Sequence, residues 1–107
     1  MTKVKLSILF IILLILTSCG NYCEDYLEDQ EVSGIVTSKY KDWKSHNLKK
    51  LEITNENGIH ILVIDDKKNI FWNFVEKGYY LSKEKGSTKI TIIKNNMEHT
   101  FDLCNNQ

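Results

Sequence analysis

From residue 32 onward the apolar positions fall into short runs separated by turn residues, a pattern of successive strands. Val32 to Tyr40 predicts a first strand, with Gly34 as a bend or bulge. Asp42 to Asn47 reads as a polar loop holding Trp43 and His46, and Leu48 to Thr54 as a second strand with Leu51 and Ile53 on one face. Asn55-Glu56-Asn57-Gly58 is a hairpin turn, in which Asn-Gly is the strongest short signal. Ile59 to Ile64 is apolar on both faces apart from His60, which predicts a third, central strand. The period then changes. Ile70 pairs with Phe74 and Phe71 with Val75 at helical spacing, with Asp66 or Asn69 to cap the start and Gly78 to close the end. Tyr79 to Lys83, Thr88 to Lys94 and Met97 to Leu103 predict three more strands, with turns at Glu84-Lys85-Gly86-Ser87 and Asn95-Asn96. Phe71, Trp72 and Phe74 read as core, and Tyr79 and Tyr80 point to opposite faces, so at least one is outside.

Three strands, a short helix and two or three strands predict a mainly β fold. The expected architecture is a small OB-like Greek-key barrel of five or six strands with one short helix, following an N-terminal signal helix. An SH3-like barrel or an open β-sandwich would show the same order of elements.

The first 23 residues carry a different pattern. Lys3 and Lys5 precede an apolar run from Leu6 to Leu16 broken only by Ser7. Eleven helical residues span about 16 Å, half a bilayer core, which fits a secretory signal and not a spanning helix. Leu16-Thr17-Ser18-Cys19 then resembles a lipobox, the signal of bacterial lipoproteins. That resemblance implies a diacylglyceryl thioether on Cys19, cleavage between Ser18 and Cys19, and acylation of the new amine. Two or three acyl chains anchor a protein stably where one does not. Gly20, where enterobacterial lipoproteins retained at the inner membrane have Asp, points to the outer membrane, on its periplasmic or cell-surface face. The expected division is a signal over 1–18, the lipid-bearing cysteine and an acidic tether over 19–31, a small β-barrel domain over 32–104 and a tail over 105–107.

Composition narrows the partners. The 107 residues contain 14 Lys and Arg, all of them lysine, and 14 Asp and Glu. Without Lys3 and Lys5 the processed chain carries a net charge of −2, which gives no general field for nucleic acid. The absence of Arg removes the bidentate fork for phosphate or base edges. Glu24, Asp25, Glu28, Asp29 and Glu31 crowd the tether, which reads as a solvated spacer. A loose match to the acidic surface-export signal of some Bacteroidota lipoproteins is the alternative. Cys23 and Cys104 flank the domain, and in an oxidising compartment such a pair reads as a disulfide. Two unpaired thiols, or Cys23 as a mere neighbour of the lipid site, are the other options.

Ser33-Gly34-Ile35-Val36 to Tyr40-Lys41-Asp42, His46-Asn47, Phe71-Trp72 to Gly78, Lys83 and Gly86-Ser87 together resemble a group of small, uncharacterised lipoproteins common in Bacteroidota. That group often has Asp where this chain has Tyr79. The resemblance implies a compartment and a β-rich fold, and no activity or site residue.

The chemistry-bearing residues are few. Asp42, Ser45 and His46 share one loop and superficially form a triad, but residues so close in sequence rarely converge and no nucleophile elbow is present. His60 and His99 lie in expected strands and would make a metal pair only if those strands were neighbours. Asp65, Asp66 and Glu56 lack the spacing of a calcium loop, and no phosphate-binding glycine loop occurs. Lysines 39, 41, 44, 49 and 50 interleave with aromatic residues; Lys39, Tyr40, Lys41, Trp43 and His46 are the candidate binding surface, for a glycan or a protein rather than nucleic acid. The alternative is a solvated strand whose lysines blunt an edge. The expectation is therefore a non-enzymatic, lipid-anchored envelope module with no metal and no cofactor. An envelope inhibitor or immunity lipoprotein is the first alternative, with a loop near Lys41 to Asn47 entering a partner's cleft. A small metal-dependent hydrolase is the second.

Overall fold

The computed structural model describes residues 21–104; the signal, Cys19 and the tail at 105–107 lie outside them. The described chain is mainly β. Six antiparallel strands form one sheet: β1 (Val32–Asp42), β2 (Leu48–Asn55), β3 (Gly58–Ile64), β4 (Tyr80–Lys83), β5 (Lys89–Lys94) and β6 (Met97–Asp102). Two short helices accompany them, α1 (Tyr22–Asp25) before the sheet and α2 (Ile70–Phe74) between β3 and β4. The strand order is β3-β2-β1-β4-β5-β6. For its first five strands this is the OB-like order, with the helix at the β3–β4 crossing and β1 shared by both halves. The first part of β1 pairs with β4, from Val32 opposite Lys83 to Ile35 opposite Tyr80. Its later part pairs with β2 out to Asp42 opposite Leu48.

One face of this sheet and α2 enclose the core. Val32, Val36, Leu51, Ile53, Leu62, Ile64, Phe71, Leu81, Ile90 and Ile92 are all buried, each at the alternate position its strand or helix turns inward. Phe74 and Phe101 pack beside them with ring centroids 5.0 Å apart. The expected aromatic core of Phe71 and Trp72 is present, and Tyr80 is on the exposed side while Tyr79 packs inward against Phe74.

Several local expectations differ from what forms. β3 is an edge strand, not a central one, and its outward side chains Ile59 and Ile61 remain exposed. Its backbone edge, in contrast, has a neighbour. The hydroxyl of Tyr22 donates to the Val63 carbonyl (2.6 Å) and that of Tyr26 accepts from the Val63 amide (2.9 Å), so two side chains close part of the edge. The bulge in β1 falls between Val36 and Ser38, not at Gly34. Gly34 serves close approach instead: a Cβ there would lie 2.5 Å from the Thr54 carbonyl oxygen. The type I′ signature, positive φ at both central residues, occurs at Asn95 (53°) and Asn96 (64°); in the β2–β3 turn only Gly58 has positive φ. α2 starts with Asn69 at φ 58° and no side-chain cap bond from it; Asp66 supplies the bond, accepting from the Trp72 amide at 3.0 Å. Gly78 sits beyond the helix in a turn whose amide docks on the Val36 carbonyl (2.7 Å).

The acidic stretch expected as a spacer is folded. Asn21 caps α1 by accepting from the Glu24 amide, and Leu27, in the following 3₁₀ turn, is fully buried. Its carboxylates stay outside while its backbone is pinned: the Gly86 amide donates to the Glu28 carbonyl (2.6 Å) and the Lys83 ammonium to the Gln30 carbonyl (2.8 Å), and the Gln30 side chain also meets His60 (3.0 Å). Cys23 is disulfide-bonded to Cys104, joining α1 to the chain just after β6.

Candidate interaction surfaces

The β1–β2 hairpin was the region expected to bind. Its stem alternates faces as a strand must. Lys39, opposite Leu51, turns to the core side, where its ammonium donates to the Val75 carbonyl (2.9 Å), pairs with Glu76 (3.6 Å) and lies 4.9 Å from the centre of the Trp72 ring. Tyr40, opposite Lys50, turns to the other face. Lys41 is exposed on the Lys39 side. At the tip a 3₁₀ turn (Trp43–Ser45) is capped by Asp42, which accepts from the Lys44 amide at 3.1 Å. Trp43 is 75% exposed there, with the Lys44 ammonium 5.5 Å from its ring centre. His46 turns the chain in the left-handed region at φ 59° and is exposed. The five expected residues thus do not form one surface. Lys39 is committed to the interior, Tyr40 faces away, and Lys41, Trp43 and His46 lie toward the tip.

The superficial triad is a turn. Asp42 is held by Lys50 (2.8 Å) as well as by its capping bond and Ser45 (3.4 Å). The ion pair with Lys50 keeps the Asp42 carboxyl below its usual range, and Asp42 in turn raises Lys50. A carboxylate stabilised in its charged form by a lysine is a poor partner for a base. His60 and His99 are on the two edge strands and do not meet: His60 is bonded to Gln30, and the His99 ring lies 4.8 Å from that of Phe74.

Three features were not foreseen. The first is a row on the exposed face, where register aligns Ile59, Thr54, Ile35, Tyr80 and Ile93 across five strands. Ile59 is 65% exposed and Ile35 43%, with Ile61 in the next row at 39%. The alternation of each strand contained this row, but only the register brings its members together. The second is Lys83, a lysine in the core at 2% exposure. Its ammonium donates to the Gln30 carbonyl (2.8 Å) and to that of Glu84, tying the N-terminal segment to the end of β4. Burial pulls this amine below the ordinary lysine range, against the charges of Glu28, Asp29, Glu31 and Glu84. The third is an open, polar-walled cavity of about 580 Å³ bounded by Glu31, Ser33, Asn55, Ser82, Lys83 and Lys85 among others. No histidine or cysteine lines it.

Among the described residues no group of three or more His, Cys, Asp and Glu side chains is arranged to hold a metal, and no helix is long and apolar enough to cross a membrane. Compared with protein-family models, curated proteins and solved structures, the chain matches none.

Proposed function

We propose that the chain is a lipid-anchored lipoprotein of the bacterial cell envelope, acting as a non-enzymatic binding or accessory module whose partner is a protein. Cysteine use supports the anchor. Cys23 and Cys104 are joined to each other, which leaves Cys19, in its Leu-Thr-Ser-Cys context, as the third cysteine of the sequence. A disulfide across the whole domain also suits an oxidising compartment. The exposed row supports the partner class and carries the reading. Isoleucines at positions 59, 35 and 61, with Tyr80, form an apolar strip interrupted by Thr54, on a face that also carries Glu52 beside Ile61 and Glu98 beside Ile93. Such a strip gains from contact with apolar side chains and offers a sugar few hydrogen-bonding groups, so it favours protein over glycan.

Two measurements test this. Cys19→Ala abolishes labelling with a palmitate analogue and leaves the precursor uncut at Ser18; continued labelling would sink the anchor. In-cell crosslinking of the full-length protein captures a protein partner that Ile35→Lys, on the exposed row, releases. Equal capture by this variant would remove the row from the interface.

A further inference from the structure

We infer that the tip of the β1–β2 hairpin is a second membrane contact, seating Trp43 among the headgroups of the bilayer that holds the Cys19 lipid. This rests on the proposed lipidation and adds to it a fixed orientation of the domain. The argument begins with chain length. Gly20 alone separates Cys19 from Asn21, the cap of α1. Two residue steps span at most about 7 Å. α1 cannot swing away, because the Cys23–Cys104 disulfide and the Tyr22 and Tyr26 hydroxyls on Val63 hold it to the sheet. The lipid therefore brings the folded body directly against the bilayer, at the site where α1 sits.

That site adjoins the hairpin. Val63 pairs with Lys50, and Lys50 with Tyr40. Adjacent strands are about 4.8 Å apart, so the hairpin stem runs about 10 Å or less from the edge that holds α1. Two or three residues further along, from Tyr40 or back from Lys50, lie Asp42, Trp43 and Leu48. The composition there is that of an interfacial contact. Trp43 and Leu48 are 75% and 43% exposed. Ile70, 50% exposed, follows Asn69, which accepts from the Lys49 ammonium on the other face of β2 from Leu48. Residues 41–50 hold four lysines and one acid, and that acid is paired with Lys50. Tryptophan partitions to the headgroup level with lysine reaching anionic lipid beside it, each lysine strengthening partition about fivefold. Glu24 and Asp25 in α1 are acidic, and Asp65 beside it shares its cavity with Lys67, so the attraction to anionic lipid falls on the hairpin lysines rather than on α1.

The test uses mature protein purified from cells and placed in vesicles of phosphatidylethanolamine and phosphatidylglycerol with brominated acyl chains. The expected result is a blue-shifted tryptophan emission and quenching by bromine, both lost in Trp43→Phe, with buried Trp72 as common background. Lys41→Glu with Lys44→Glu weakens the quenching. Vesicle-bound protein whose Trp43 emission is unshifted and unquenched overturns the inference. So does Trp43 shielded from aqueous acrylamide but not quenched by bromine, which would place another protein over it. Mass spectrometry of the N-terminal peptide reads the anchor separately. If Cys19 carries no lipid, the proposed anchor fails, and the hairpin is judged by coupling the Cys19 thiol of residues 19–107 to a maleimide lipid. Bromine quenching in that conjugate supports the contact, and its absence overturns it.

Discussion

Gly34 and Lys83 show how single residues set this sheet. Strands β1 and β2 approach so closely at Gly34 that a methyl group would meet the Thr54 carbonyl at 2.5 Å and the Ile53 side chain at 3.0 Å. The obstacle at the shorter distance is backbone, which cannot rotate away. Gly34→Ala is therefore expected to destabilise the fold by about 1–3 kcal/mol, the usual cost of overpacking a filled interior. Denaturant unfolding checks it: the midpoint should fall at unchanged slope, and an unchanged midpoint would mean that the strands part without cost. Lys83 makes the opposite choice, a charged residue where its strand needs an inward one. It is tolerated because its amine donates to two backbone carbonyls, those of Gln30 and Glu84. Neither role was readable from composition. A glycine in a strand pattern signals either a bulge or close packing, and only the neighbouring strand decides which. A lysine at an inward position reads as a register error until its acceptors, Gln30 and Glu84, are known.

The elements were largely legible because each carries its own period and turn residues. All six strands and α2 occur where alternation and the 70–75 helical spacing put them, to within a residue or two at the ends. What the pattern could not reveal was the neighbour of each strand. β3 has apolar residues on both faces, a mark of burial, yet it is an edge whose cover is α1 and not another strand. Tyr22 and Tyr26, four residues apart, were the overlooked signal: they stack with centroids 5.4 Å apart and direct both hydroxyls to one residue, Val63. Burial pushes the Tyr22 hydroxyl far above its ordinary range, outweighing its hydrogen bond with the Asp65 backbone. The folded state thus keeps this proton where the unfolded chain releases it. A pKa raised on folding gives stability that is fully present below the unfolded value and is lost as pH rises past it, here from about pH 10. Tyr22→Phe leaves the Val63 carbonyl without its donor, so at neutral pH the variant is less stable by about 1 kcal/mol. That difference should shrink as pH climbs above about 10. Chemical denaturation of both proteins from pH 7 to 11 reads it, and a gap that widens with pH would show that the hydroxyl is not held neutral.

At the scale of the whole molecule, the ends are what close it. The sheet has two edges, β3 and β6, and the segment before β1 lies on the first while Cys104, two residues after β6, is bonded to that segment. The disulfide therefore links α1, which caps one edge, to the exit from the other. Its sequence separation of 81 residues spans nearly the whole described chain. Loop-closure entropy for a ring of that size gives about 4 kcal/mol, a large share of what so small a core supplies. Cys104→Ser should lower stability by about that amount under oxidising conditions. Wild type treated with reductant should fall to the same level, and reductant should not lower the variant further. A variant that is still less stable than reduced wild type would mean that packing of the Cys104 side chain, and not the crosslink, carries the effect. The same experiment bears on the membrane. If the bond holds α1 in place and the proposed lipid is present on Cys19, reduction frees the segment next to Cys19, and the proposed orientation of the domain is lost while the proposed anchor remains. Bromine quenching of Trp43 should then decline on reduction in protein that stays bound to vesicles. Loss of the contact without loss of attachment would tie the stability of the fold to the direction in which its exposed row faces a partner.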